Sequence, residues 1–221
     1  MTAPNALLLK ANLKHLRLPA VLAEFEKLAR GAAARDEPYE AYLLTLTELE
    51  VAARSANAVP ARIRAAGFPV VKAFDTFDFT AVPSLPKQKA LELARGEWVT
   101  RRTNVCLIGG SGTGKTHVAI AWGLSLCRLG KRARFTTAAA LVAELEEAQQ
   151  QHRLDRTLAA LDRLGLLIVD ELGYLSFSRA GAELLFQVFA DRYERRSLLV
   201  TSKEASTGYS VFLPPGRGWM V

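Results

Sequence analysis

The spacing of apolar residues divides the chain into two parts at about residue 104. In the first part, apolar side chains recur every three or four positions, which is typical of amphipathic helices. One run ends at Leu16, a second extends from Pro19 to a possible glycine stop at Gly31, and a third begins near Pro38. We therefore predict a small all-helical N-terminal region over residues 1–60.

Proline and glycine interrupt the stretch 57–86 at five positions: Pro60, Gly67, Pro69, Pro83 and Pro86. Because such residues break regular structure, the stretch is predicted to be irregular, with an aromatic cluster of Phe74, Phe77 and Phe79. A short helix over 87–98 follows. Residues 61–100 are thus predicted to form a linker and a lead-in helix.

From Val105 onward, short apolar runs alternate with helical patterns. The predicted strands cover 105–108, 132–136, 166–169 and 197–201, and the predicted helices cover 115–128, 138–149 and 180–193. Strands separated by helices indicate a parallel sheet flanked by helices, an α/β core over residues 101–202. Glycines and prolines replace this pattern in a divergent tail, 203–221, where only 209–213 is a candidate strand.

Composition and charge agree with a folded protein and exclude few functions. The 221 residues are 50% apolar and 23% charged, which is ordinary for a packed domain. At roughly 150 residues per domain, this length corresponds to about one and a half domains. No apolar run is long enough for a membrane helix, and no signal peptide is visible, so we predict a cytoplasmic protein without a membrane partner. The net charge of +7 permits nucleic-acid binding without requiring it. Cys106 and Cys127 lack metal-ligand spacing and are expected to be buried.

A complete phosphate-binding loop follows the first predicted strand. The residues match G-x-x-x-x-G-K-[ST], the Walker A motif, and are Gly109, Gly110, Ser111, Gly112, Thr113, Gly114, Lys115 and Thr116. Glycines let the backbone wind around phosphates, and the N–H groups of the following helix start attract anions. Lys115 is predicted to reach the β- and γ-phosphates of ATP, and Thr116 to bind Mg²⁺. His117 is a further candidate for nucleotide contact, although packing on the helix face is the favoured interpretation.

An acidic pair ends the third predicted strand, as in a Walker B motif. Four apolar residues, 166–169, precede Asp170 and Glu171. Ligands of open parallel sheets bind at the carboxyl ends of the strands. Asp170 is therefore a predicted Mg²⁺ ligand and Glu171 the predicted base for the attacking water, while a helix-entry cap is the alternative for such a pair. With Lys115, Glu171 is a predicted catalytic residue of an ATP-hydrolysing enzyme.

Several segments resemble the IstB-like ATP-binding proteins, which are transposition helpers related to the DnaC helicase loaders. The resemblance is carried by the residues of 13–19, 64–69, 113–119, 134–138, 169–175 and 192–197, with Asp-Glu-Leu-Gly-Tyr-Leu at 170–175 the most specific, and extends from about Leu7 to Ser202. It implies an AAA+ P-loop ATPase that assembles with ATP as a homo-oligomer on double-stranded DNA, with low sequence specificity, and directs a transposase. The alternatives are a helicase loader and a remnant that binds nucleotide without hydrolysing it.

The resemblance fails near the C-terminus. Thr201 and Ser202 are sensor candidates, but Lys203 stands where the family has a γ-phosphate-sensing asparagine. We find no counterpart in 204–221 of the family's arginine-bearing helix or its fifth strand, and Arg217 is not a convincing arginine finger. The expectation is a truncated or frameshifted module, with nucleotide binding retained, weak turnover, and the first strand left at the sheet edge.

Clusters of basic residues leave two interpretations open. One cluster combines Trp98 with Arg101 and Arg102. It is either a solvated helix end or a contact for adenine or phosphate. A second cluster, Lys131, Arg132 and Arg134, either deters pairing at the sheet edge or faces DNA. A third, Arg195 and Arg196, closes a predicted helix, where positive charge favours the helix dipole whatever the function. On the first helix, the same choice between solvated face and DNA or transposase contact applies to Lys10, Lys14 and Arg17. For the whole helical region, 1–60, we predict that it faces DNA or a partner protein.

Overall fold

The computed structural model describes residues 3–82, 85–173, 177–203 and 209–212. The helices are α1 (Ala3–His15), α2 (Pro19–Ala34), α3 (Tyr39–Ala65), α4 (Lys87–Ala94), α5 (Glu97–Thr100), α6 (Lys115–Arg128), α7 (Ala138–Gln150), α8 (Leu154–Asp162) and α9 (Arg179–Arg192). The strands are β1 (Val105–Gly109), β2 (Ala133–Thr137), β3 (Leu166–Leu172), β4 (Ser197–Ser202) and β5 (Tyr209–Phe212). None of the helices described is both long and apolar enough to cross a membrane.

The chain divides into two compact units, Met1–Pro60 and Ala61–Val221. The first unit packs helices around a small apolar core formed by Leu13, Val21, Phe25 and Leu46. A buried glutamate, Glu50 on α3, accepts hydrogen bonds from the first-turn N–H groups of Ala20 (2.9 Å) and Val21 (3.2 Å). The N-cap residue of α2 offers no capping side chain. Glu50 therefore satisfies helix donors that the local sequence leaves without a partner.

Two helix ends in this region differ from the sequence prediction. The prediction that α2 stops at Gly31 is wrong, since the helix continues to Ala34 through three alanines, strong helix formers that outweigh one glycine. The predicted break at Pro60 is also wrong, because α3 runs through it to Ala65. Proline lacks one N–H donor, which costs a helix a single internal bond and does not always end it.

The second unit is built on a five-stranded sheet with the order β2-β3-β4-β1-β5. The first four strands are parallel, as the alternating pattern predicts. Alternate β3 residues enter different cores: Leu166 and Ile168 belong to the core that contains α6, and Leu167 and Val169 to the core that contains α7 and α9. Burial on both faces explains the unbroken apolar run of this strand. The predicted α/β fold is thus confirmed.

The expectation that β1 lies at the edge of the sheet is wrong. β5 pairs with β1 in antiparallel register, with Cys106 opposite Phe212 and Gly109 opposite Tyr209. The pairing covers the β1 backbone that the absence of a parallel fifth strand was expected to expose. Residues 204–208 and 213–221, including Arg217 and most of the expected truncation, lie outside the described residues.

Other departures concern the connections. The aromatic stretch holds two short 3₁₀ turns, Phe74–Thr76 and Phe79–Ala81, and the predicted helix over 87–98 is divided into α4 and α5 at Gly96, whose φ is 75°. Helix α8 was not predicted. Cys127 is buried as expected, while Cys106 is only partly buried, and burial raises the pKa of each thiol.

Candidate nucleotide-binding site

The phosphate-loop sequence forms the connection between β1 and α6. Gly109 is the last residue of β1, and Lys115 is the first of α6. The backbone takes positive φ at Gly112 (77°) and Gly114 (84°), a conformation that L side chains rarely adopt. These two glycines are therefore required for the loop to turn into the helix, and the first-turn N–H groups of α6 face the loop end of the sheet.

The side chain of Lys115 is folded under this loop. Its Nζ donates to the carbonyl oxygens of Gly109 at 2.8 Å and Gly110 at 2.6 Å, and only 6% of the residue is exposed. Thr113 Oγ1 lies 3.5 Å away and donates to the Gly110 carbonyl. The loop therefore holds a buried cation next to its own backbone, where a phosphate group would find both a positive charge and N–H donors.

Thr116 and Asp170 meet across the gap between α6 and β3. The Thr116 hydroxyl donates to the Asp170 carboxylate, with Oγ1 2.9 Å from Oδ2 and 3.2 Å from Oδ1. The two residues are 54 positions apart in the chain, and Asp170 is only 4% exposed. Together they place a hydroxyl and a carboxylate, oxygen ligands that suit Mg²⁺, beside the phosphate loop.

Asp170 and Glu171 lie at an irregularity in the sheet. The regular pairing of β3 with β4 is interrupted between Val169 and Leu172, which is a β-bulge, and Glu171 has a φ of 63°. In a regular strand, consecutive side chains point to opposite faces. A bulge re-aims side chains, and here it accompanies a buried Asp170 followed by an exposed Glu171.

The hydroxyl of Thr201 connects both acidic residues to β4. It donates to Asp170 Oδ1, and it accepts the backbone N–H of Glu171 at 3.0 Å. Thr201 is 1% exposed. The neighbouring Ser202 instead donates to the Leu172 carbonyl at 2.7 Å. Of the two sensor candidates, Thr201 thus contacts the acidic pair directly, and Ser202 supports the backbone just after it.

His117 faces the aromatic stretch that precedes the sheet. Its Nε2 donates to the Ala73 carbonyl at 3.1 Å, and its ring meets Phe77 edge-on at 4.9 Å between centroids. A Cβ at Gly114 would lie 3.0 Å from Cε2 of Phe77. The ring of Phe77 therefore lies against the phosphate loop. The sequence singled out this phenylalanine only as part of an aromatic cluster, with no signal that would bring it to the loop.

Comparisons with known proteins agree with this geometry. The profile of the family described as "IstB-like ATP binding protein" matches residues 11–213, so the match continues into 204–213, where no counterpart was expected from the sequence. Two similar relatives are proteins named as the ATP-binding proteins of insertion sequences IS5376, from Geobacillus stearothermophilus, and IS21, from Pseudomonas aeruginosa. The first is 34% identical over 86% of this chain and 76% of its own length, and the second is 35% identical over 89% and 74%.

Among solved structures, the DnaC helicase loader has a similar fold. Its TM-score is 0.52 at 22% identity, over 61% of this chain and 78% of that protein. At this level of identity the likeness concerns the fold alone. The family profile covers most of the chain, and the insertion-sequence proteins align over nearly nine tenths of it. The chain belongs to the family of IstB-like ATP-binding proteins.

Proposed function

We propose that this ATP-binding protein hydrolyses ATP in the cytoplasm, assembles with ATP on double-stranded DNA as a homo-oligomer, and recruits or activates a transposase. The observation that carries the nucleotide part is the meeting of Thr116 with Asp170 beside the lysine-bearing loop. The DNA and transposase parts rest on the family and on relatives named after insertion sequences.

In this proposal the loop residues 109–116 bind the triphosphate. Lys115 exchanges its two carbonyl partners for β- and γ-phosphate oxygens, and the backbone N–H groups at the α6 start complete the cradle. His117 is already hydrogen-bonded to Ala73. We therefore assign it to packing of the segment next to the loop, and contact with the nucleotide is not required of it.

The donor set fits a magnesium ion. Thr116 Oγ1 and the Asp170 carboxylate are hard oxygen ligands already within hydrogen-bond distance of each other. When bound, Mg²⁺ would neutralise charge on the β- and γ-phosphates. Thr201, on the neighbouring strand β4, donates a hydrogen bond that holds the Asp170 carboxylate in place.

Glu171 is the proposed base that orients and deprotonates the attacking water. Its side chain is exposed, while its backbone N–H is fixed by Thr201. This places an exposed carboxylate on a backbone that is hydrogen-bonded to the neighbouring strand. Such a base contributes about 10²–10⁴ in rate.

The test is phosphate release and nucleotide affinity in matched variants. Glu171→Gln is expected to retain ATP affinity and lose at least about 100-fold in turnover. Lys115→Ala is expected to lose affinity. Glu194→Gln is a suitable control, since Glu194 is also exposed with a positive φ, 58°, but lies outside the site. Equal turnover in wild type and Glu171→Gln would contradict the role of Glu171.

A protein that binds nucleotide without turnover is the second candidate. It is favoured by Lys203, a lysine at the position where the resemblance places a sensing asparagine. If wild type binds ATP but releases no phosphate, with or without duplex DNA, this candidate replaces hydrolysis.

The DNA and transposase parts need their own measurement. A labelled duplex and the purified chain should form a complex that requires ATP and is lost in Lys115→Ala. Co-purification with the transposase encoded by the same insertion sequence should show the same nucleotide dependence. ATP-independent complexes would contradict assembly driven by nucleotide.

A further inference from the structure

The amino ends of the four parallel strands carry most of the net charge of the chain. Four short segments, 101–104, 128–132, 162–165 and 194–196, lead into β1, β2, β3 and β4. They contain eight cationic residues, Arg101, Arg102, Arg128, Lys131, Arg132, Arg163, Arg195 and Arg196, and two acidic ones, Asp162 and Glu194. Their net charge is +6, compared with +7 for the whole chain. We call these eight residues the cationic edge.

Hydrogen bonds join these segments into one continuous surface. The Arg132 carbonyl accepts from the N–H of Gly165 at 2.9 Å, and the Gly165 carbonyl accepts from Ser197 at 3.4 Å. Asn104 Oδ1 accepts from the N–H of Leu198 at 2.9 Å. Since adjacent strands are about 4.8 Å apart, the four strand starts span about 14 Å. The cations therefore form a row rather than isolated charges.

Most cations in this row have no structural task. Seven of the eight residues are exposed, and Arg196 is half-buried. In the part of the chain that the structure describes, six make no ion pair: Arg102, Arg128, Lys131, Arg132, Arg163 and Arg195. Of these, Arg102 donates a hydrogen bond to the Glu194 carbonyl at 3.4 Å. Arg101 pairs with the exposed Glu97 at 3.0 Å, and Arg196 lies 3.7 Å from Asp162. These surface pairs are weak and can be exchanged for other anions.

Arginines that stabilise the fold look different. Arg192 is buried and donates to the carbonyls of Leu161, Leu164 and Ser197. Arg134, for which a DNA contact was one interpretation of the sequence, is paired with Glu144. The contrast separates cations that hold elements together from cations that are held out to solvent.

The helical unit carries no excess of positive charge. Residues 1–60 contain seven cationic and seven acidic residues, so the unit is neutral. On α1, Lys10 is paired with Glu26 at 2.7 Å. The candidate DNA contacts of α1 are therefore less favourable to a polyanion than the row at the sheet.

We propose that the cationic edge binds the phosphate backbone of double-stranded DNA. Duplex DNA presents about one negative charge per 1.7 Å of its axis, which matches a row of closely spaced arginines without any reading of bases. The inference rests on the proposed association with DNA and adds the surface that makes it. Low sequence preference follows, because side chains of this row contact phosphates only.

The experiment compares two variants that lose the same charge. The edge variant carries Lys131→Gln, Arg132→Gln, Arg163→Gln and Arg195→Gln. The control carries Lys27→Gln, Arg30→Gln, Arg64→Gln and Arg156→Gln, all exposed residues outside the four segments of the edge. Strand pairing at the edge uses backbone atoms, so these side-chain changes leave it intact. The affinity for a labelled 30-base-pair duplex is measured with ATP and Mg²⁺ over a range of salt concentrations.

The edge variant is expected to bind duplex at least about 30-fold more weakly near 0.1 M salt. The slope of log affinity against log salt concentration should also fall in magnitude by about three to four, because fewer counterions are released. The control should bind like wild type, and ATP affinity should be the same in all three proteins. If the edge variant binds like wild type, the site is wrong while DNA association stands. If wild type itself does not bind duplex, both the site and the proposed association fail.

A polyglutamate competitor separates nucleic acid from acidic protein. Duplex bound at phosphate contacts should resist polyglutamate at equal total charge. Displacement of the duplex by an equal charge of polyglutamate would overturn the assignment to DNA and indicate a surface for acidic polypeptides.

Discussion

Replacing Thr201 by valine tests whether one buried hydroxyl organises the acidic residues of the site. Valine has nearly the same shape as threonine, so the packing of this 1%-exposed side chain is preserved. The change removes the hydrogen bond to the Asp170 carboxylate and the acceptor for the Glu171 N–H. Asp170 then keeps only the hydroxyl of Thr116 as a side-chain donor among the contacts described.

The magnitude follows from these two bonds. A hydrogen bond to a charged group contributes about 1.5–3 kcal/mol. The Glu171 N–H lies at a residue with an exposed side chain, so water can replace part of its lost bond. We expect a loss of about 2–3 kcal/mol in the free energy of unfolding of the unit 61–221. At about 2–4 °C per kcal/mol, its Tm should fall by about 5–10 °C.

Thr201→Ser is the matched control because it keeps the hydroxyl and loses one methyl group, which costs about 1 kcal/mol. Thermal unfolding followed by circular dichroism gives Tm, and phosphate release gives turnover. The valine variant should turn over ATP about tenfold more slowly or worse, because Asp170 and Glu171 lose their common support. A valine variant as stable and as active as the serine variant would refute the reasoning.

Three further predictions concern stability. Glu50→Gln should destabilise the helical unit, because the charge facing the N–H groups that start α2 is lost, while the exposed Glu48→Gln should not; hydrogen exchange of residues 20–25 reports this. Burial alone would raise the pKa of Glu50, but hydrogen bonds from Arg54 and the α2 backbone outweigh it and lower the pKa below 4.5. The stabilisation of the helical unit by ionised Glu50 should therefore be complete above pH 4.5 and be lost as the pH falls through the lower pKa of the folded state. An acid titration followed by circular dichroism measures this loss, and an identical titration of Glu50→Gln would contradict it. Arg192→Met should lower the free energy of unfolding in urea by about 3 kcal/mol or more, because three carbonyls, two of them in buried contacts, lose their donor. The exposed Arg156→Met should change it by less than about 0.5 kcal/mol.

The parts of the fold that depend on local patterns were predictable. The α6 helix begins and ends at Lys115 and Arg128 as predicted, because a glycine-rich turn precedes it and a glycine follows it. The burial of β3 followed from four consecutive apolar residues. At Pro60, however, a local rule gave the wrong result, since the helix continues through it.

Features that depend on contacts between distant residues were not accessible from one sequence. The pairing of β5 with β1 joins residues about one hundred positions apart. The capping of α2 by Glu50 joins residues 30 positions apart, and no spacing rule predicts it. For the site, the motif predicted which residues meet, but the bulge at Glu171 and its support by Thr201 required the register between β3 and β4.

The position of the cationic edge has a consequence for how nucleotide and DNA would influence each other. The phosphate loop lies at the carboxyl end of β1, and the cationic edge lies at the amino ends of the same strands. Five residues of β1 separate them, a distance of about 16 Å. At that distance, salt screens direct interaction between exposed charges. Under the proposed function, nucleotide would therefore affect DNA binding through assembly of subunits, which would align several edges along one duplex. It follows that ATP should raise the number of counterions released per complex in proportion to the number of subunits, and should leave the number per subunit unchanged.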